Sequence, residues 1–105
     1  MLRMIERRRV AHYIALIHKE PNSIYGVSFP DVPGVIAAAE TLDGALSEAA
    51  EALSFAAEDW ETHSGAPFPA PRSLDALRED RRFSAQAQDA VVAAVPLATP
   101  VGRAA

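Results

Sequence analysis

Residues 11–19 alternate on both sides of the chain, with Tyr13, Ala15 and Ile17 on one face of an extended segment and Ile14 and Leu16 on the other. Side chains of a strand point to opposite faces in turn, so apolarity on both predicts a strand covered above and below, at the centre of a sheet. Pro21 and Asn22 then supply turn chemistry. Over 24–29 the alternation resumes, with Tyr25, Val27 and Phe29 on one face and Gly26 and Ser28 on the other, which completes a hairpin. Pro30, Asp31, Val32, Pro33 and Gly34 read as a stiff corner: two prolines of fixed φ are followed by a residue that tolerates positive φ. A third strand is predicted over 35–40.

The period changes at Thr41. Leu42, Ala45, Leu46, Ala49, Leu53, Ala56, Ala57 and Trp60 recur at spacings of three and four, while Asp43, Ser47, Glu51, Ser54, Glu58 and Glu61 fill the opposite stripe. Thr41 is a suitable N-cap and Asp43 suits the positive first turn, so an amphipathic helix starts there and stops at Gly65 and Pro67. Residues 66–71 hold three prolines and form an extended connector. Ser73 caps a short helix to about residue 80. The apolar run at 90–95 reads as a last buried strand whose hydrogen-bonding ladder Pro96 ends. The pattern is an α/β (α+β) domain: a three-stranded antiparallel meander, a long helix across it, a short helix and a final strand. A helical crossover would make that strand parallel to the one it joins. Trp60 is expected in the core. Tyr25 and Phe29 serve equally as core or as interface anchors, since a helix on one face leaves the other to be covered, and association is the simplest cover.

A length of 105 residues allows one core. The longest apolar runs fall well short of the roughly 20 residues of a membrane span, and the arginines near the N-terminus precede no apolar stretch of signal-peptide length, so a cytoplasmic location is the default. The absence of cysteine removes disulfides, thiolate metal sites and thiol nucleophiles. The net charge of −4 conceals a division: residues 1–9 hold four Arg against Glu6, about +3, which leaves about −7 on the rest. From Glu20 to Pro71 there are nine acids and no Lys or Arg. Such a surface repels nucleic acid, whose binding rests on phosphate neutralisation, and attracts a basic protein; solubility alone would use the same acids.

Candidate chemistry is sparse. His12, His18 and His63 lack metal-ligand spacing, no serine stands in a recognisable triad pattern, and the five glycines form no phosphate loop. No cofactor, metal or catalytic residue is expected.

Tyr25, Gly26, Val27, Ser28, Phe29, Pro30, Asp31, Val32, Pro33 and Gly34, followed by Thr41, Leu42, Asp43 and Ala45, closely resemble the HicB family of antitoxins. Gly65, Pro67, Pro69 and Pro71 before Ser73 and Leu74, and the ending Val91, Val92, Val95, Pro96 and Leu97, extend the resemblance over about residues 11–97. It implies a fold like a degraded ribonuclease H core and a homodimer or homotetramer. It also implies a partner toxin, HicA, a small mRNA interferase with a double-stranded-RNA-binding-like fold and a catalytic histidine. Family members commonly continue into a ribbon-helix-helix or helix-turn-helix domain that binds operator DNA and regulates their own transcription; this sequence stops at Ala105, either as a truncated piece or as a stand-alone form.

The expected division is a basic arm or misassigned start at 1–9, the antitoxin domain at 10–97 and a disordered tail at 98–105. Where the family places an acid at the third helical position this chain has Gly44, which loses the reciprocal capping box and is expected to cost about 0.5–1 kcal/mol relative to alanine. Exposed strand, corner and acidic-helix positions mark the toxin surface as Tyr25, Phe29, Asp31, Val32, Glu51 and Glu58, on a frame held by Gly26, Pro30, Pro33, Gly34, Thr41 and Trp60. Two other functions compete. A residual metal-dependent nuclease would need carboxylates converging on two ions, yet the first strand has none. A nucleic-acid-binding module would have to rely on the four arginines of the arm.

Overall fold

The doubly apolar pattern has a direct structural consequence. In strand β1 (Arg8–Lys19), Ala15, Leu16 and Ile17 are all buried, successive residues facing opposite sides of the sheet. The computed structural model describes residues 8–100, with side chains over 10–97. β1 pairs with β2 (Tyr25–Ser28), which pairs with β3 (Ile36–Ala39), and on its other side with β4 (Val91–Pro100). The strand order is β3-β2-β1-β4 and every pairing is antiparallel.

Helix α1 (Leu42–Ser64) lies on the face of Tyr13, Ala15 and Ile17. The Thr41 hydroxyl accepts the Gly44 N–H at 3.0 Å, and Gly65 ends the helix in the left-handed region at φ 70°. Ala45, Ala49 and Leu53 recur every fourth residue and are completely buried. They pack with Tyr13, Ala15, Ile17, Val27 and Val95, and the two alanines let the helix backbone sit close to the strands.

The opposite face of β1 is also covered from within the chain. Helix α2 (Leu74–Arg78), capped by Ser73, and helix α3 (Arg81–Ala87), capped by Asp80, bring Leu77 and Phe83 onto Leu16. The sequence pattern leaves that face for a partner; these helices cover its centre instead. α3 is absent from the pattern because Phe83 is the one large apolar residue in its seven.

The direction of β4 also departs from expectation. One helical crossover would return a parallel strand, but α1 carries the chain back along the sheet, and residues 65–90 carry it forward again. β4 therefore begins beside the C-terminal end of β1, with Val91 opposite Ile17, and runs antiparallel to it. Nor does Pro96 end the ladder. It sits opposite His12, and pairing continues to Pro100 opposite Arg8. β4 is an edge strand, where every second N–H points away from the sheet and a proline costs no bond. Arg8 and Arg9 thus belong to β1 and residues 98–100 to β4, inside the sheet rather than in the arm and tail expected for them. The remainder of the arm and tail, residues 1–7 and 101–105, lies outside the described residues.

Gly44 proves to be fitted rather than costly. A Cβ there would stand 2.9 Å from the Thr41 hydroxyl and 3.2 Å from the Ala39 Cβ, so an alanine must displace the cap that starts the helix. Cap loss costs about 1 kcal/mol, which cancels the propensity gain of about 0.5–1 kcal/mol. Gly44→Ala is therefore expected to leave stability unchanged or lower it by up to about 1 kcal/mol in urea melts; a gain approaching 1 kcal/mol would show that the cap accommodates the methyl group.

Candidate partner-binding surface

The proline corner is built inward. The Val32 N–H donates to the Phe29 carbonyl and the Val35 N–H to the Val32 carbonyl, each at 3.2 Å, and Gly34 takes φ 100°. These turns push Phe29 and Val32 into the core, where each is 2 % exposed. Neither can offer surface to a partner, contrary to the expectation from sequence.

Asp31 at the same corner is a latch. Its carboxylate accepts the backbone N–H and the Nε–H of Arg72, both at 2.7 Å, and its side chain is only 8 % exposed. The Arg72 guanidinium also donates to Asp80 at 3.2 Å, while Asp80 caps α3 by accepting the Arg82 N–H at 2.8 Å. The hydrogen bond to Asp31, then that to Asp80, raises the Arg72 pKa; the Arg82 N–H, then Arg72, holds the Asp80 carboxyl below its usual value. Tyr13 fastens the same connector by donating its hydroxyl to the Pro69 carbonyl at 2.6 Å, and its ring lies 5.8 Å from Phe68. Trp60 stands edge-on to Phe68 at 5.7 Å and is 37 % exposed, so it lids the connector instead of entering the core.

The outward side of α1 remains. Glu48, Glu51, Glu58, Asp59 and Glu61 are exposed there, and of these only Asp59 has a basic side chain within reach among the described residues, its Oδ1 lying 3.0 Å from His63 Nδ1. Glu51 and Glu58, seven residues apart, project from one side of the helix, about 10 Å from each other. Tyr25 is half-buried against the core, with the Lys19 ammonium 5.6 Å from its ring. Gly26 lies on the opposite face of β2, with open space where a Cβ would be. The sequence reading misses two residues of this surface, Ile36 and Phe55, each 71 % exposed. Phe55 leaves a legible signal, a large apolar side chain two positions past Leu53 and so on the polar side of the helix. They line a shallow groove of about 360 Å³ with Ala37, Glu48, Glu51 and Ala52. On the other face of the sheet, His18 Nε2 lies 3.1 Å from the Gln86 carbonyl oxygen. No group of three or more His, Asp or Glu side chains among the described residues could hold a metal ion.

A family model described as the HicB_like antitoxin of bacterial toxin-antitoxin system matches residues 13–101. The chain belongs to that family. Two solved structures from Burkholderia pseudomallei are similar to this HicB-like antitoxin, each 27 % identical and each covering 80 % of it. Against the antitoxin HicB the TM-score is 0.67 and the match spans 61 % of that chain; against the N-terminal domain of HicB it is 0.66 over 94 %. The HicB-like chain therefore corresponds to somewhat under two thirds of the longer antitoxin and to nearly all of its N-terminal domain. No curated protein gives a match. Among the described residues, no helix is long and apolar enough to cross a membrane.

Two outcomes follow from the latch. Asp31→Ala removes two charge-assisted hydrogen bonds from a nearly buried carboxylate and should cost about 1.5 kcal/mol, with faster amide exchange over residues 66–73 than in Glu58→Ala. Burial, then the charge of Asp31, raises the Tyr13 phenol above its usual 10.0. A raised folded pKa gives stability that is whole below about pH 10 and lost as the pH climbs past the folded value. Tyr13→Phe should accordingly cost about 1 kcal/mol at pH 7 and progressively less above pH 10; a deficit that stays constant or widens with pH would contradict this.

Proposed function

We propose that this HicB-like antitoxin binds a HicA-type mRNA interferase and silences it by occlusion, covering the toxin's RNA-binding groove and catalytic histidine without making or breaking bonds itself. The observation that carries this reading is the charge of α1 and the segments around it: nine acids and no Lys or Arg between Glu20 and Pro71. A toxin that grips RNA needs a positive surface, and an acidic helix face is its electrostatic complement. Glu51 and Glu58 are the interface candidates from the sequence that are exposed on that helix, and half-buried Tyr25 borders it. Asp31 acts through the latch, and Phe29 and Val32 act through the core. A toxin of this kind acts on mRNA, so the complex forms in the cytoplasm.

The test is co-expression with a HicA-type toxin, followed by calorimetry with a toxin whose catalytic histidine is replaced. Growth should be rescued and a stoichiometric complex should form. Glu51→Lys combined with Glu58→Lys should weaken the complex by tenfold or more, about 1.4 kcal/mol. Absence of a complex, or RNA cleavage by the pure antitoxin, would overturn the proposal.

A further inference from the structure

We infer that the groove between β3 and α1 receives an extended basic segment of the partner, laid beside β3 as a fifth strand of the sheet. This deepens the antitoxin reading and rests on it for the choice of a basic protein as occupant.

The backbone supplies the first reason. Among the described residues β3 is an edge strand, with no strand neighbour on one side. Edges are ordinarily blunted by charge, proline or a covering segment. β3 reads Ile36, Ala37, Ala38 and Ala39, with neither charge nor proline, and both Ile36 and Ala38 are exposed.

The side chains supply the second. Ile36 is registered with Ser28 and, through it, with Leu16, so it points away from α1, whereas Ala37 is registered with Val27 and Ile17 on the α1 side. A strand added beside β3 would follow the same alternation. Every second residue would stand on the α1 side, near Glu48, Glu51 and Phe55; the residues between would stand beside Ile36. The first set is matched by Lys or Arg, whose stems can lie on Phe55 while their charges meet the two carboxylates. The second set is matched by valine or isoleucine. Neither Glu48 nor Glu51 has an ion-pair partner among the described residues.

Charge decides against a second copy of this chain. Pairing two β3 edges about a two-fold axis would bring Glu48 and Glu51 of each copy towards their own counterparts, which is repulsive. The opposite edge, β4, has no charged residue in its ten and is the better site for self-association.

The probe is a fluorescein-labelled decapeptide alternating lysine and valine, titrated into the 105-residue chain by anisotropy and by ¹⁵N–¹H spectra. Saturable binding is expected, with shifts confined to residues 36–39 and 48–55. Phe55→Ser, Ile36→Ser and the double variant Glu48→Gln, Glu51→Gln should each weaken it by about tenfold. The two apolar side chains are mostly exposed, so their replacement spares the core. A peptide of the same composition with its lysines and valines in two blocks should bind at least tenfold more weakly. The inference is overturned by absence of saturable binding, equal affinity for the block peptide, shifts centred on β4 or on residues 58–61, or a Phe55→Ser variant that dissociates an oligomer without altering peptide affinity. If the peptide seats as described and the inactivated toxin does not bind, the groove stands and the antitoxin reading fails.

Discussion

Burial of β1 on both faces is the constraint from which the rest of the molecule follows. Ala15 and Ile17 need a cover on one side and Leu16 on the other, and a chain of this length has one long helix and two short ones to supply both. The layers are therefore α1, the sheet, and α2 with α3. Because α1 and α2 lie on opposite faces, residues 65–73 must pass from one to the other. That segment cannot form regular structure, given its prolines, so it is held by side chains: Asp31 grips Arg72 and Tyr13 grips the Pro69 carbonyl. Asp31, whose position suggested recognition, is occupied by this task.

The same constraint determines what is left for a partner. With the sheet centre enclosed, the outer sides of the helices and the two sheet edges stay open among the described residues, and the two edges differ chemically. One edge is flanked by the acids of α1 and carries Ile36 and Phe55 in the open; the other is neutral over ten residues. A basic macromolecule is drawn to the first, while the second presents no charge to oppose another copy of itself. The chain belongs to the HicB-like antitoxin family, and the acidic edge is the one on which the proposed toxin binding rests.

Local periodicity made part of this legible in the sequence. The central place of β1, the Thr41 and Gly65 ends of α1 and the proline corner are each specified within a few residues, by alternation, capping and fixed φ. Features that depend on distant partners were not legible. Asp31 meets Arg72 across 41 positions, and no local pattern announces the pair. The direction of β4 depends on how many times the chain traverses the sheet, and the second passage includes α3, whose helicity comes from the Asp80 cap and the burial of Phe83. Trp60 ends the helical stripe in the expected way, yet there it meets the connector at Phe68 and stays half-open. The sequence showed that α1 is acidic; identifying the groove required knowing that β3 forms the edge next to it.

If acidity on α1 is what brings the toxin in, charge must act during approach more than after docking. Stopped-flow association of the antitoxin with inactivated toxin, followed from about 20 to about 300 mM salt, isolates that step. The expected result is an association rate that falls by roughly tenfold or more while the dissociation rate changes by no more than about twofold. An association rate indifferent to salt would contradict the claim that this surface captures a basic partner by charge.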